Sequence, residues 1–465
     1  MGNDSLQILY VVHGFPPSEA AGAEIYAYHV ARGMRERGHD ARVFCPGNDP
    51  KRDEYQIFEE TYEGIPVLRV NNTWRDLHRL MDTVHNAEIA RIFGEILDEA
   101  RPDLVHVQHT IGTTAEVLPL AAARGIPVVA TLHDYWFHCP RGQRLTPRGH
   151  LCTKVQPWRC SLCVFKKRGR YGFDWSRDFL QGRTAACGER TGLTRFLRFP
   201  FHLAAEIFSE AGPRSIHRRN AFMAQCLKSA DLLLCPSKFL AEEYRRQGAP
   251  EDRLVFWENG MDPEPFRDLP PRRSPWEEGR PIRFGFVGTL IPSKGPEVLV
   301  RAFQGIAPGL ATLDIHGAGG GPNAARFERA LRGMNRHPDV RFHGRFEHER
   351  LPEVLSRLDV LVQPSLWFEN APLTLHEAAM AGLAVVTTDL GGMAEFAGRF
   401  RNALTFPRGD VSALRRVLER LIGERDLLPS LVPARRAVRT LDDDVEGLLK
   451  HYRALIEGRR RRTTP

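Results

Sequence analysis

Short apolar runs alternate along most of this chain with stretches in which apolar side chains return every three or four positions. Leu6–Val12 is a run suited to a buried strand, and a loop rich in Pro, Gly and Ala follows from Gly14 to Gly22. Ala23, Ala27, Val30 and Met34 then recur at helical spacing, and Gly38 ends that helix before a strand at Ala41–Cys45. Further strands are expected at Ile65–Val70, Leu104–Val107, Pro127–Leu132, Leu232–Cys235 and Arg253–Trp257. Strand–helix–strand alternation of this kind predicts an α/β fold with parallel sheets covered by helices on both faces. A turn at Asn259-Gly260-Met261-Asp262-Pro263 and a proline-rich stretch through Pro275 read as a linker. The rhythm restarts at Ile282–Val287, with strands at Thr312–Ile315, Val340–His343, Val360–Gln363 and Ala384–Thr388. The pattern thus predicts two doubly wound, Rossmann-like domains, over 1–260 and 276–430, facing a central cleft. Ligands of such sheets sit beyond the carboxyl ends of the strands. Residues 431–465 form a last helix, with Val445, Leu448, Leu449, Tyr452 and Ile456 on one face, and a basic tail.

The region at about 139–220 breaks the rhythm. It is basic and aromatic, as in Arg195-Phe196-Leu197-Arg198-Phe199-Pro200-Phe201, and reads as an insertion into the first domain. Packing beneath an insertion and contact with a membrane surface or acceptor both account for it. Charge changes the picture further. The net +8 over 465 residues is concentrated: Lys166, Lys167, Arg168, Arg170, Arg195, Arg198, Arg214, Arg218 and Arg219 crowd the middle, and Arg459 to Arg462 the end. A solvated basic surface and attraction to anionic lipid headgroups are the two readings. Nucleic acid is not expected as a partner, because no recognised binding module accompanies the charges. No apolar run reaches the ~18 residues of a spanning helix, and the N-terminus has no basic n-region. The expected location is cytoplasmic, with peripheral attachment at the inner face of the membrane as an option.

The segment Phe368-Glu369-Asn370-Ala371-Pro372-Leu373-Thr374-Leu375-His376-Glu377 carries the candidate chemistry. Pro372 suits a first helical position, Leu373 to Ala381 reads as a helix, and Gly382 is a natural stop. Free N–H groups and the positive end of the helix dipole make that first turn a place for a phosphate. Glu369 lies before the helix and Glu377 about one and a half turns inside it. A diphosphate flanked by two polyols, as in a sugar nucleotide, meets this arrangement.

Glu369 and Glu377 also fit an E-x7-E spacing, and the chain here resembles the retaining glycosyltransferases of family 4, which have the GT-B fold. Ala21-Gly22-Ala23-Glu24 resembles that family's N-terminal donor loop, and Thr131-Leu132-His133-Asp134-Tyr135-Trp136 its histidine-bearing strand end. Val287-Gly288-Thr289-Leu290 through Lys294-Gly295 resembles its phosphate-binding strand and lysine, and Thr388-Asp389-Leu390-Gly391-Gly392 through Glu395 its last donor-side turn. The resemblance implies that Lys294 offsets charge on the departing diphosphate without a catalytic metal. It places the N–H groups of Leu373 and Thr374 on the same phosphates, with Gly22 letting the opposite loop approach and Thr289, Gly391 and Gly392 on the donor side. Glu377 takes the ribose hydroxyls, Glu369 the donor-sugar hydroxyls, and His133 positions the sugar from the other domain. Most members carry Arg where this chain has Thr289 and Phe-Gly where it has Ala371-Pro372. The implied activity is transfer of a sugar from a UDP- or GDP-linked donor, with retention, to a glycan, lipid-linked or small-molecule acceptor. Cell-envelope or extracellular glycan synthesis is the implied setting; a nucleotide-sugar epimerase on the same fold is the alternative.

The cysteines stand apart from that resemblance. Cys139, Cys152, Cys160 and Cys163 form C-x12-C-x7-C-x2-C, whose last pair has metal-ligand spacing. A structural zinc pinning the insertion and four free thiols in a loop are both open. Cys45, Cys187, Cys226 and Cys235 read as small apolar residues.

Overall fold

The computed structural model describes residues 5–19, 21–165, 212–319, 321–400, 403–431 and 438–463. Eight strands build the first sheet: β1 (Gln7–Val11), β2 (Asp40–Gly47), β3 (Ile57–Tyr62), β4 (Ile65–Asn71), β5 (Leu104–Val107), β6 (Val128–Thr131), β7 (Leu232–Cys235) and β8 (Leu254–Phe256). Their order is β3-β4-β2-β1-β5-β6-β7-β8. Every pairing is parallel except that of β3 with β4. The central strands β5, β6 and β7 are buried at every position, as expected where helices cover both faces. The second sheet is wholly parallel, in the order β11-β10-β9-β12-β13-β14. It comprises β9 (Ile282–Val287), β10 (Ala311–His316), β11 (Val340–Gly344), β12 (Val360–Gln363), β13 (Ala384–Thr388) and β14 (Ala403–Phe406). The chain lays its strands outward in opposite senses from β1/β5 and from β9/β12, and this switch in strand order leaves a crevice beyond the carboxyl ends of each sheet.

Two strands were not expected. β3 is an edge strand whose positions alternate between exposed and half-buried, so it lacks the apolar run that marks the others. It is joined to β4 through Glu63 (φ 47°) and Gly64 (φ 79°), a two-residue turn with both residues left-handed. β14 is a four-residue edge strand with one buried position. The proline-rich segment expected as a linker is packed rather than free. Met261 and Phe266 are buried, Met261 exchanges backbone hydrogen bonds with Arg439 and Leu441, and Arg272 donates from Nε to Ala381 O (2.8 Å) and from Nη2 to Leu355 O (2.9 Å).

The last helix, Leu441–Thr463, returns to the first sheet. Val445, Leu448, Leu449, Tyr452 and Ile456 join the core beneath β1 with Tyr10, Val30 and Met34, the face expected from their spacing. Asp444, fully buried, accepts hydrogen bonds from Tyr26 Oη (2.9 Å), Trp257 Nε1 (2.7 Å) and the Gly260 N–H (2.7 Å). Among the basic residues of its end, Arg459 pairs with Asp231 at 2.8 Å and Arg460 with Asp103 at 3.8 Å. Arg459 is thus held against the body of the protein, whereas the Arg460 side chain stays 73% exposed. In the middle cluster Arg214 and Arg218 are exposed, but Arg219 is fully buried over Trp136. Lys166, Lys167, Arg168, Arg170, Cys187 and the Arg195–Phe201 stretch lie outside the described residues. No described helix is long and apolar enough to cross a membrane.

Candidate active site

The loop after β12 carries Glu369 into the crevice of the second sheet. Its carboxylate is buried, at 5% exposure, and Oε1 accepts three hydrogen bonds. The donors are Lys294 Nζ (2.6 Å), Trp367 Nε1 (2.8 Å) and Ser365 Oγ (2.9 Å). Lys294 ends a 3-10 turn, Pro292–Lys294, that Gly295 closes in the left-handed region at φ 71°. A Cβ at Gly295 would lie 2.0 Å from Pro364 O, so only glycine lets the lysine turn meet the acidic loop. The structure thus joins Lys294 and Glu369 as an ion pair, which their separate sequence roles did not anticipate.

Gly391 and Gly392, expected on the donor, lie beneath that loop. The Gly392 N–H donates to Glu369 O at 2.9 Å, and a Cβ there would fall 1.4 Å from Asn370 O. Their observed contacts support the loop. The helix beyond runs over Leu373–Met380; Pro372 is extended and stands just before it as N-cap, one place earlier than its spacing suggested. Thr374 Oγ1 accepts from Gln363 Nε2 at 3.1 Å, and Thr289 is exposed. Glu377 faces inward at 4% exposure, with the His348 imidazole Nε2 at 3.9 Å. Burial with so little compensation pushes its carboxyl up to about 8.

The first domain supplies the opposite wall. His133, just past β6, is joined by Nε2 to Gln108 Oε1 at 2.7 Å. Gln108 Nε2 meets His106 Nε2 at 3.2 Å, and His106 Nδ1 meets Tyr452 Oη of the last helix at 2.6 Å. With the amide in this orientation, His133 Nε2 is the donor and its Nδ1 is left as an acceptor. Burial, aided by His109 and His13, pushes His133 down to about 3, so it is neutral at pH 7. Beside it His13 pairs with Glu24 at 3.0 Å and His109 with Asp134 at 3.4 Å. Burial opposes the charge on Glu24, but His13 outweighs it and brings the carboxyl down to about 2.

Asn370 connects the walls. Its Nδ2 donates to Leu132 O and His133 O, both at 3.2 Å, and its Oδ1 accepts from Ser237 Oγ at 2.6 Å. Gly22 faces Leu373 across the cleft; a Cβ there would sit 3.8 Å from Leu373 Cδ1, an ordinary contact. The structure therefore gathers Gly22, His133, Lys294, Glu369, Leu373, Thr374 and Glu377 along one cleft. Gln108, Ser237 and Asn370 were not singled out, although Gln108 follows a buried strand and Asn370 lies between the two glutamates. The seven described cysteines form no disulfide with one another. Among the described residues no group of three metal-capable side chains converges on one point, so Cys139, Cys152, Cys160 and Cys163 are not preassembled as a metal centre.

Comparison with known proteins matches residues 21–158 to a glycosyl transferase 4-like domain and residues 281–424 to glycosyl transferases group 1. The chain is 32% identical over 238 residues to a GDP-mannose-dependent alpha-mannosyltransferase of Mycobacterium tuberculosis, covering 50% of this chain and 58% of that protein. It is 27% identical over 216 residues to the amylovoran biosynthesis glycosyltransferase AmsK of Erwinia amylovora, covering 45% and 52% respectively. The chain spans about half the length of the curated relatives it matches. Among solved structures, Anabaena HepE in complex with UDP and glucose superposes with a TM-score of 0.54 at 14% identity, over 97% of this chain and 98% of that one. Sucrose-phosphate synthase from Thermosynechococcus elongatus gives 0.58 at 16% identity, over 97% and 96%.

Proposed function

The chain belongs to the GT4-type glycosyltransferases of GT-B fold, and from that premise we propose that it moves a sugar from a nucleotide-sugar donor to an acceptor hydroxyl with retention of configuration. One observation carries the reading: Lys294, Glu369 and His133, from three loops and two sheets, meet along one cleft, with Asn370 spanning it. In this reading the diphosphate lies at the start of the Leu373–Met380 helix, where the N–H groups of Leu373 and Thr374 and the Lys294 ammonium oppose its charge. Glu377 accepts hydrogen bonds from the ribose hydroxyls. The free oxygen of Glu369 and the acceptor Nδ1 of His133 receive donor-sugar hydroxyls from opposite sides.

The bond from the anomeric carbon to the phosphate oxygen breaks as the acceptor oxygen attacks from the same face, and the acceptor's proton passes to the departing phosphate. Neither a protein nucleophile nor a metal is required, since Lys294 and the helix start supply the charge stabilisation. Because Thr289 stands where most members have Arg, Lys294 carries more of that task here. An envelope or extracellular glycan is the acceptor in this reading, and a relative named for amylovoran biosynthesis supports a role in glycan synthesis. The exposed Arg214 and Arg218 leave contact with an anionic membrane surface, and a cytoplasmic or peripheral location, within the proposal.

Thermal-shift screening against UDP- and GDP-linked sugars, followed by product analysis with and without acceptors, tests the assignment. We expect one donor class to stabilise the protein, with the shift lost in Glu377→Ala. A donor rearranged without any acceptor would favour the epimerase, and undiminished stabilisation of Glu377→Ala would overturn the ribose assignment.

A further inference from the structure

We propose that Phe368, Asn370 and Glu395 are positioning residues, which clasp the first domain on either side of Glu369 and so fix its spacing from His133 across the donor-sugar pocket. The inference rests on the glycosyltransferase reading above. It starts from what holds Glu369. Lys294, Trp367 and Ser365 bind its carboxylate, and all three come from the second sheet's side of the cleft. They set where the carboxylate lies on its own wall, but not how far it stands from the opposite one.

The residues before and after Glu369 supply that distance. Phe368 turns away from the second sheet and packs, with Trp367, against the core of the first domain. Its ring stacks on Phe239, with centroids 5.3 Å apart and planes at 27°, and meets Tyr135 edge-on at 6.5 Å. The Arg144 guanidinium lies over the same ring, 5.7 Å from its centroid. After Glu369, the buried Asn370 donates to the carbonyl of His133 itself and accepts from Ser237 Oγ. One covalent step and one hydrogen bond of 3.2 Å therefore join the two groups that hold the sugar from opposite sides. A shift of this loop of about 1 Å changes the width of the pocket directly, and errors of that size cost an enzyme about 100-fold.

Glu395 locks the seat into which both neighbours fit. Ser237 is the N-cap of the helix Lys238–Arg246, whose first N–H groups have no partner within the helix. Glu395, on the helix Gly391–Phe400, reaches across to them: Oε1 accepts from the Lys238 N–H and Oε2 from the Phe239 N–H, both at 3.0 Å. Its charge also meets the positive end of that helix's dipole. The same Gly391–Phe400 helix holds Glu369 O through the Gly392 N–H. The acidic loop, the helix that supports it and the seat for Phe368 and Asn370 are thus tied into one unit spanning both walls.

The test compares two ligands on the full chain: the nucleotide sugar, UDP- or GDP-linked, that stabilises the unaltered protein, and the matching nucleoside diphosphate. The diphosphate alone reaches Lys294, the Leu373–Met380 helix and Glu377, whereas the sugar adds Glu369 and His133. In Phe368→Ala the nucleoside diphosphate should raise Tm as it does in the unaltered protein, and the additional rise from the sugar should be lost. Donor turnover, to water or to an acceptor, should fall about 10- to 100-fold in kcat with a much smaller change in KM. Phe368→Leu, which keeps an apolar side chain in the seat, should recover most of both. Glu395→Ala, at a half-buried position, should show the same split and decides the matter if Phe368→Ala does not fold. Equal loss of the nucleoside diphosphate and sugar shifts overturns the proposal, as does a sugar increment and kcat unchanged in both variants. If neither ligand stabilises the unaltered protein, the glycosyltransferase reading fails and this inference with it; a shift intact in the unaltered protein and in both variants sinks the clasp alone.

Discussion

Glu377 and Glu369 have the same side chain and opposite surroundings. Three hydrogen bonds converge on Glu369, whereas Glu377 is buried with, among the described residues, the His348 imidazole at 3.9 Å as its ion-pair neighbour, and its carboxyl is pushed up to about 8. Hydroxyls that donate to Glu377 stabilise its ionised form, so donor binding should release a proton near neutrality. Donor affinity is expected to rise with pH, approaching tenfold per unit below about 8, and calorimetry in buffers of different ionisation enthalpy measures both effects. The same shift has a sign for stability. The folded-state value lies above the ordinary 4.5, so this group's contribution is intact below about 4.5 and is lost as pH rises to about 8. Glu377→Gln should therefore be more stable than the unaltered protein at pH 9, by a few kcal/mol at most, and similar to it at pH 4. It should also bind donor roughly 10- to 100-fold more weakly, from the loss of hydrogen bonds to a charged group. At Lys294, replacement by Met leaves the Glu369 carboxylate without its cation and the leaving diphosphate without its charge partner. A fall in kcat of about 10²–10³ is expected, with a smaller change in KM.

Elements explain why glycines surround the site. Gly392→Ala puts a Cβ 1.4 Å from Asn370 O, so the acidic loop must shift; both Tm and donor binding should fall. Gly22→Ala places its Cβ 3.8 Å from Leu373 Cδ1, so the free protein should keep its Tm while donor stabilisation weakens, because the methyl narrows the gap the diphosphate enters. Equal losses in Tm for the two variants would refute the distinction. The sequence made most of these elements legible. β5, β7, β9, β12 and β13 fall on their expected residues, because buried parallel strands are continuous apolar runs with clear ends. β3 and β14 escaped notice for the converse reason: edge strands keep polar positions, and their pairing partner rather than their composition makes them strands.

At the scale of the whole molecule, the last helix and the loops between sheets set the cleft. Asp444 is the buried acceptor for Tyr26, Trp257 and Gly260; Asp444→Ala leaves three donors unmet and should cost on the order of 3 kcal/mol or more in urea unfolding. The Tyr452–His106–Gln108 run carries the placement of that helix to His133. The residues alone determined the alternating architecture, the acidic pair about a helix start, and the family resemblance, since strand burial, helix period and motif spacing are local in the chain. Tertiary structure decided which partner each group received. Lys294 and Glu369 are 75 positions apart and Asn370 and His133 are 237, and no periodicity spans such distances. It also decided that Gly391 and Gly392 lie beneath the acidic loop, that Arg459 pairs with Asp231, and that one glutamate is shielded while its neighbour is bridged. Charge state and reach depend on what packs around a side chain, and that is fixed only when the two sheets come together.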